Sequence, residues 1–330
     1  MLIFFRKSTD PYFNIAAEEY FVKHFTEDIC MVWLNRKSVI IGKHQNAFAE
    51  INYPFVRTQN IPIIRRISGG GAVYHDLGNL NFTFIKKTNK DNPVDFGQFT
   101  SIIVGYLHSL GIDVNVNKRN SIFIGDDKVS GHAEHIFHDK VLHHGTLLFD
   151  SDLDMLGKSL EPHKKYAGKA MPSVKSNVCN IRPFLSKDID IEGFADKFVN
   201  WLQGYYSVNS LYQLEPSDQN SINKLVVEKY NTWEWNFGYS PAYSFEATIQ
   251  VHDSILPITI KVENGKISQV QYPSNAETKQ IVDALTNLAG IYHKEEDIAK
   301  FAEINSRELE LAGIKIVSFT QAFFLINELE

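Results

Sequence analysis

Cysteine and long apolar runs are both scarce in this chain of 330 residues. Its two cysteines, Cys30 and Cys179, lie far apart and form no Cys-x-x-Cys pair. That usage argues against a disulfide framework and favours a reducing compartment. No apolar run approaches the roughly 18 residues of a membrane-spanning helix, and Met1–Arg6 lacks the features of a signal peptide. We therefore expect a cytoplasmic protein with no membrane partner.

An excess of positive charge is also lacking. The 33 Lys and Arg residues are outnumbered by 39 Asp and Glu residues, which gives a formal net charge of −6. This balance argues against a general nucleic-acid or membrane-surface binder, while a local basic site remains compatible with it. The length favours two domains, and a chain of this size can bury a core without disulfides.

What the chain does contain is a run of three glycines, Gly69–Gly71, which follows the pair Arg65-Arg66 and precedes His75-Asp76. The apolar runs Ile61–Ile64 before the glycines and Leu80–Ile85 after them predict a strand, a glycine turn and a second strand. Consecutive glycines let a ligand approach main-chain N–H groups, and such a turn forms a concavity that binds anions. Neighbouring arginines suit a phosphate or carboxylate. A tight hairpin with surface arginines is the simpler alternative.

Two known nucleotide-binding motifs can be excluded. The three glycines form no dinucleotide fingerprint, because position 74 is tyrosine and no helix is predicted after it. Gly157-Lys158-Ser159 has the ending of a phosphate-binding loop, but that motif requires glycine at position 152, where this chain has aspartate.

Further candidate residues lie between positions 128 and 144. Lys128 stands beside the small residues Ser130 and Gly131, where it could project over a pocket, although a solvated lysine is the simpler interpretation. Five of the twelve histidines also fall here: His132, His135, His138, His143 and His144. Their spacing would need a helix to form a zinc site, and strands are predicted instead. We therefore expect hydrogen-bonded strand histidines and no metal site.

The pattern of apolar residues divides the chain. Asp10 and Pro11 are typical of a helix start, and Ile29–Leu34 and Ser38–Ile41 are predicted to be buried strands. Helix, loop and helix are predicted over 151–206, with the loop at 166–180. After about residue 245, period-2 alternation with a turn at Glu263–Gly265 is followed by helices predicted at about 277–289, 294–304 and 318–328. We therefore predict domains at 1–245 and 246–330.

Together these stretches resemble the lipoate–protein ligase A family in its full-length bacterial form, over the whole chain. The most specific match is Arg65–Asn79, which is nearly the family signature. The other matching stretches are Asp10–Ala16, Val39–Asn46, Lys128–Gly131, His143–Leu148, Ser173–Val178 and Trp233–Gly238.

The resemblance implies an α+β fold, in which a mixed-sheet catalytic domain like that of biotin and lipoyl protein ligases (1–245) is followed by a small α+β accessory domain (246–330). It also implies an ATP-dependent reaction with Mg²⁺, in which lipoate becomes lipoyl-AMP and the lipoyl group then passes to a lysine. The implied acceptors are lipoyl domains of 2-oxoacid dehydrogenase complexes and the glycine cleavage H protein. We expect a monomer with no nucleic-acid partner.

Carried over residue by residue, Lys128 matches the lysine that contacts both the lipoyl carbonyl and the phosphate. The resemblance thus makes it the catalytic residue and a ligand of ATP and lipoate. Arg66 matches the arginine that contacts the nucleotide, and the backbone along the nucleotide corresponds to Gly71, Ala72, Val73 and Tyr74. This agrees with the chemistry, because attack on phosphorus builds negative charge that fixed cations and N–H groups stabilise. Ser121, Asp127 and the run His132–His135 depart from the family's usual residues, and His75 and Asp76 receive no role.

Two alternative functions remain. The first is an octanoyl or lipoyl transferase of the same fold, which would carry the acyl group on Cys179, the only thiol near the predicted site. The second is a non-catalytic binding protein on this scaffold. The presence of both Lys128 and the glycine stretch argues against the second alternative.

Overall fold

The computed structural model describes residues 1–6, 8–88, 96–162, 165–273 and 279–324. Within these ranges the strands are β1 (Leu2–Arg6), β2 (Ile29–Leu34), β3 (Ser38–Ile41), β4 (Ile63–Arg65), β5 (Val73–His75), β6 (Asn79–Lys87), β7 (Asn115–Val116), β8 (Ile122–Ile124), β9 (Asp127–Ser130), β10 (His132–Phe137), β11 (Lys140–Leu148), β12 (Tyr166–Gly168), β13 (Tyr243–Val251), β14 (Ser254–Glu263) and β15 (Lys266–Gln271).

The helices in the same ranges are α1 (Pro11–His24), α2 (Ala47–Glu50), α3 (Tyr53–Thr58), α4 (Phe96–Ser109), α5 (Leu153–Ser159), α6 (Ile191–Tyr206), α7 (Pro216–Leu225), α8 (Lys279–Thr286), α9 (Glu295–Ile304), α10 (Ser306–Leu311) and α11 (Ile316–Phe324). Two single π-helical turns, at Val226–Tyr230 and Glu234–Gly238, lie between α7 and β13. Across the described ranges, no helix has both the length and the apolar character needed to cross a membrane.

Contacts within the chain define two compact units. The first unit combines Met1–Lys43, Pro62–Gly157 and Ser173–Asn231. The second unit combines the remaining segments, His44–Ile61, Lys158–Pro172 and Thr232–Glu330. This division reflects contacts and not catalytic roles, so the functional domains at 1–245 and 246–330 stay predictions.

A five-stranded mixed sheet lies at the centre of the first unit, in the order β1-β2-β6-β11-β10. β1 runs parallel to β2, and the other neighbours are antiparallel. One face packs on α4 and α6 through a large apolar cluster, and α1 contacts the opposite face. The predicted strand at Ile29–Leu34 is confirmed as β2. Helices on both faces explain why β2 reads as a continuous apolar run.

Two smaller sheets complete the first unit. In one, β3 lies between β4, to which it is parallel, and β5, to which it is antiparallel. The strands predicted at Ile61–Ile64 and Leu80–Ile85 correspond to β4 and β6. The glycine turn joins β4 to the short strand β5, which was not predicted. Because β4 and β5 lie on opposite sides of β3, the turn does not close a hairpin, and the simpler alternative was wrong. The other sheet has the order β7-β8-β9.

The second unit contains an antiparallel sheet in the order β12-β13-β14-β15. The turn predicted at Glu263–Gly265 is confirmed: Asn264 and Gly265 adopt φ values of 52° and 74°, as a two-residue hairpin requires. Apolar residues of the sheet and of α8 to α11 form one core. The sequence had predicted a loop over residues 166–180, whereas its first three residues form β12. The helix predicted at 318–328 is α11, and residues 325–328 of that prediction lie outside the described residues.

Candidate active site

The glycine turn lies against the end of β3, and two of the contacting positions require glycine. Gly70 has a φ of +84°, in the left-handed region that side chains rarely adopt. A Cβ added to Gly42, directly after β3, would lie 2.1 Å from the Gly70 carbonyl oxygen. Glycine is therefore required at position 70 by the backbone conformation and at position 42 by the close approach of the Gly70 carbonyl.

Arg66 holds this turn from inside. Its Nε donates to Ser68 Oγ (2.9 Å), and its two amino groups donate to the carbonyl oxygens of Ile40 (3.1 Å), Gly71 (2.8 Å) and Gly69 (2.5 Å). The side chain is buried. Burial lowers the pKa of Arg66 to about 10, although the Glu18 carboxylate opposes that shift. The guanidinium therefore stays charged near neutral pH and acts as an internal clamp on the backbone.

Lys128 on β9 is placed differently. A Cβ added to Gly131 would lie 3.1 Å from both Cε and Nζ of Lys128, so the ammonium rests against the bare glycine backbone. Within the described residues, that ammonium has no hydrogen-bond or ion-pair partner. Burial lowers its pKa, and the nearby Arg119 adds to the effect. Lys128 is thus a partly buried cation that is available to an anion.

The segment Ser173–Cys179 contacts both features. Ser173 Oγ accepts a hydrogen bond from the Ala72 N–H of the glycine turn (2.9 Å). Farther along, Lys128 N donates to the Asn177 carbonyl (3.0 Å), and Cys179 N donates to the Lys128 carbonyl (3.2 Å). The matching stretch Ser173–Val178 therefore lies against the glycine turn at one end and beside Lys128 at the other.

Cys179 lies in a poor environment for a thiolate. Its side chain is partly buried, and this burial raises the pKa of the thiol, to which the nearby Asp127 adds. Nucleophilic cysteines need surroundings that lower the pKa of the thiol. The site therefore gives Cys179 no activation.

His75 and Asp76, which end the glycine stretch, form hydrogen bonds within the protein. His75 is buried and lies 3.1 Å from Asn35 through its Nδ1, and burial, with Arg66 and His144 adding, lowers its pKa to about 3. Asp76 accepts from the backbone N–H groups of Gly78 (2.9 Å) and Asp152 (2.8 Å). These contacts account for the His-Asp pair that the sequence left unassigned.

Tyr74 is also buried, and its hydroxyl has no hydrogen-bond partner in the described part of the chain. Burial raises the pKa of that hydroxyl, and Asp76 and Asp152 add to it. An unpartnered buried hydroxyl is uncommon in proteins. Only the backbone of Tyr74 was assigned to the nucleotide, so the hydroxyl is a polar group that the sequence did not single out.

His143 and His144 are neighbours on β11 and therefore point to opposite faces of the central sheet. On one face, His144 Nε2 lies 2.6 Å from Ser68 Oγ, and His144 Nδ1 lies 2.7 Å from Glu18 Oε1. Nothing in the sequence had marked Ser68 and Glu18 as partners. The signal that could have identified Glu18 is its position as a carboxylate on the apolar face of α1.

On the other face, His143 belongs to a second chain of polar side chains. His132 lies 2.8 Å from Ser130 Oγ and 3.0 Å from His143 Nε2, and His143 Nδ1 lies 3.1 Å from Glu134. Burial lowers the pKa of both histidines. Three of the five histidines, His132, His143 and His144, are thus hydrogen-bonded strand residues as expected, whereas His138 lies in the turn between β10 and β11. In the ranges described, no three His, Cys, Asp or Glu side chains are arranged to hold a metal ion.

Comparison with known proteins connects this chain to one family. The family model "Lipoyl protein ligase A/B catalytic domain" matches residues 10–203. The chain is 37% identical to lipoate–protein ligase 1 of Staphylococcus aureus over 294 residues, which cover 88% of this chain and 89% of the relative. It is 36% identical to the lipoate-protein ligase LplJ of Bacillus subtilis over 263 residues, which cover 78% of this chain and 80% of the relative.

Solved structures agree with these relatives. A lipoate protein ligase of T. acidophilum with bound lipoic acid has a TM-score of 0.61 and 25% identity, covering 72% of this chain and 98% of that one. A lipoate-protein ligase A bound with ATP gives the same values. A bipartite ligase from Thermoplasma acidophilum, studied with its E2 lipoyl domain, shares the fold at 24% identity and a TM-score of 0.61, covering 72% of this chain and 96% of that one.

Proposed function

The chain belongs to the lipoyl protein ligase A/B catalytic domain family and is a lipoate–protein ligase, and from this premise we propose a two-step reaction. In the first step, a carboxylate oxygen of lipoate attacks the α-phosphorus of Mg-ATP, and pyrophosphate leaves. In the second step, the amine of an acceptor lysine attacks the carbonyl of lipoyl-AMP. An amide forms, AMP leaves and the amine loses a proton.

One observation carries this proposal: the partly buried Lys128 ammonium rests against Gly131, and in the described residues nothing neutralises it. Both reactants of the first step are anions, and charge builds on the phosphorus oxygens during attack. We assign Lys128 to the lipoyl carboxyl and the α-phosphate, where a fixed cation draws the anions together and stabilises the transition state.

The nucleotide is assigned to the glycine turn. In this proposal Arg66 contacts the nucleotide, and the backbone of Gly71, Ala72, Val73 and Tyr74 lies along it. Support comes from the clamp geometry, since Arg66 already holds the turn in one shape. Preorganised donors need no rearrangement when charge develops. The apolar side chains of Val39–Ile41 and Val73 are proposed to line the path of the lipoyl tail.

The proposed acceptors are lipoyl domains of 2-oxoacid dehydrogenase complexes and the glycine cleavage H protein. The first class is supported by the T. acidophilum ligase, which was studied with its E2 lipoyl domain. We assign the chemistry to the domain at 1–245 and an accessory role to 246–330. A cytoplasmic monomer remains our prediction.

The transferase alternative requires a reactive thiol. Burial raises the pKa of the Cys179 thiol, and the neighbouring Asp127 opposes the thiolate as well. A thiolate is the attacking species in acyl transfer through cysteine. The ligase reaction needs no protein nucleophile, so it is the function that this site favours.

The test is a mass measurement on an acceptor. The purified protein is incubated with an apo lipoyl domain and lipoate, with and without Mg-ATP, and pyrophosphate is measured in parallel. We expect lipoylation and pyrophosphate release only with ATP, and none on a domain whose acceptor lysine is replaced. An octanoyl-loaded carrier protein without ATP serves as the transferase arm. Modification from that donor alone would contradict the ligase mechanism.

A further inference from the structure

A chain of buried polar side chains runs from the glycine turn to the interior of the first unit. Arg66 Nε donates to Ser68 Oγ, which meets His144 Nε2, and His144 Nδ1 meets Glu18 Oε1. Beyond Glu18, the same carboxylate oxygen accepts from Thr83 Oγ1 at 2.6 Å, and Thr83 Oγ1 accepts from Trp33 Nε1 at 3.0 Å.

We propose that His144, backed by the Glu18 carboxylate, is a positioning residue for the nucleotide step: through Ser68 it orients the Arg66 guanidinium in the glycine turn. The inference rests on the proposed function, in which Arg66 contacts the nucleotide. It adds two residues, His144 and Glu18, whose effect on the reaction passes through Arg66.

The hydrogen-bond directions are consistent along the whole chain. Thr83 accepts from Trp33 and donates to Glu18 Oε1, so that oxygen is an acceptor and the hydrogen of the next link lies on His144 Nδ1. His144 Nε2 then accepts from the Ser68 hydroxyl, and the Ser68 oxygen accepts from Arg66 Nε. One tautomer of neutral histidine satisfies every link. The buried positive charge of Arg66 is thereby connected to the buried negative charge of Glu18, which offsets the cost of burying either charge alone.

The order serine, histidine, glutamate is also that of a nucleophilic triad. Two observations assign a different role here. Ser68 is 0% exposed, so a substrate carbonyl cannot reach its hydroxyl. Its oxygen also accepts a hydrogen bond from the cationic Arg66, which lowers the nucleophilicity of that oxygen. Ser68 is therefore a connector between His144 and Arg66.

Two replacements of His144 distinguish its hydrogen bond to Ser68 from its hydrogen bond to Glu18. Glutamine places its amide near the former Nε2 and can still reach Ser68, whereas asparagine places its amide near the former Nδ1 and can reach only Glu18. With lipoate and Mg-ATP, H144N is expected to raise the KM for ATP about tenfold, the equivalent of one buried hydrogen bond. Its kcat should change less. H144Q should stay within about threefold of the parent because it keeps the Ser68 contact.

Burial-matched and coupling controls accompany these variants. His143 is 0% exposed and lies beside His144 on β11, but it faces the other side of the sheet, so H143Q should leave the KM for ATP unchanged. S68A should match H144N, and the double variant should be no worse than either single one, because all of them break the same path. Additive losses in the double variant would overturn the proposal.

A readout without any substrate separates this inference from the proposed function. The Arg66 Nε–H resonance, followed by NMR, should shift and exchange faster with water in H144N but not in H143Q. An unchanged resonance in H144N would overturn the positioning chain, even in an active enzyme. If the resonance shifts but the parent releases no pyrophosphate, the proposed function fails, and with it the nucleotide role of His144. Labelling of Ser68 by a fluorophosphonate would instead show a nucleophile and overturn the connector role.

Discussion

Arg66 and Lys128, the two cations of the proposed site, are held in opposite ways. Arg66 gives its donors to Ser68 and to three backbone carbonyls. Lys128 rests against Gly131, and among the residues that the structure describes its ammonium meets no acceptor. Contacts within the protein thus use four of the five N–H donors of Arg66 and leave one for the nucleotide that we assign to it, whereas in the described residues no donor of the Lys128 ammonium is used.

This difference follows from the chemistry of the two side chains. A guanidinium offers several donors in a planar fork, so it can hold several backbone carbonyls in fixed positions. An ammonium is a compact point charge on a flexible stem, so it can move with a substrate. We infer that loss of Arg66 mainly disturbs the shape of the site, whereas loss of Lys128 mainly disturbs the reaction.

The largest effect is expected for Lys128→Ala. Removing the cation that faces developing charge should lower the rate of pyrophosphate release by about 10²-fold or more. Thermal stability should change little, because burial already disfavours the charged lysine. Lys118→Ala, at an exposed lysine shortly before Lys128 in the sequence, is the control and should keep the parent's rate of pyrophosphate release. Near-normal turnover of the Lys128 variant would remove Lys128 from the reaction.

Arg66→Lys tests the other half of the comparison. The charge stays but the fork is lost, so at least two carbonyl contacts break, at a cost of about 2 kcal/mol of unfolding free energy. Denaturant unfolding measures that loss, and Arg57→Lys, at an exposed arginine, provides the control. If the lysine variant unfolds at the parent's midpoint, the clamp assigned to Arg66 is wrong.

A pH series should reveal the buried histidine beside the turn. The pKa of His75 is lowered to about 3 in the folded protein, so the unfolded chain binds a proton more readily at every pH between about 6.5 and 3. Stability should therefore be complete above about pH 6.5 and fall as the pH decreases, by up to about 2 kcal/mol between pH 6.5 and 5.

His75→Gln isolates that contribution. The variant should be less stable than the parent at pH 7.5, but its unfolding free energy should fall less steeply from pH 6.5 to 5. Denaturant unfolding at several pH values measures both slopes. Equal slopes in the two proteins would show that His75 does not titrate as its burial requires.

The smallest effect is expected for Cys179→Ser. Because the thiol is not activated, the serine variant should keep its ligase rate within about twofold, as for a replacement outside the catalytic machinery. Loss of acceptor lipoylation in a folded variant would favour the transferase mechanism instead.

Much of the architecture was predictable from local patterns. Strong apolar runs identified β2 and β3, and the Glu263–Gly265 signal identified the β14–β15 turn, because burial and turn conformation limit the residue types that fit. The short helices α2 and α3 were missed. Asn46 and Asn52 cap their N-termini, but a segment of four to six residues is too short for a clear helical period.

The candidate site also has a part that local sequence predicts and a part that it does not. The sequence by itself determined the glycine turn and the cations, since triple glycine, paired arginines and the Lys128 motif carry their chemistry in residue type and order. Only the tertiary structure decided what each cation contacts. Arg66 meets Ser68 and the backbone, and His144 meets Glu18 from a strand 126 residues away in sequence. Such contacts depend on which strands become neighbours, and local propensity does not contain that information.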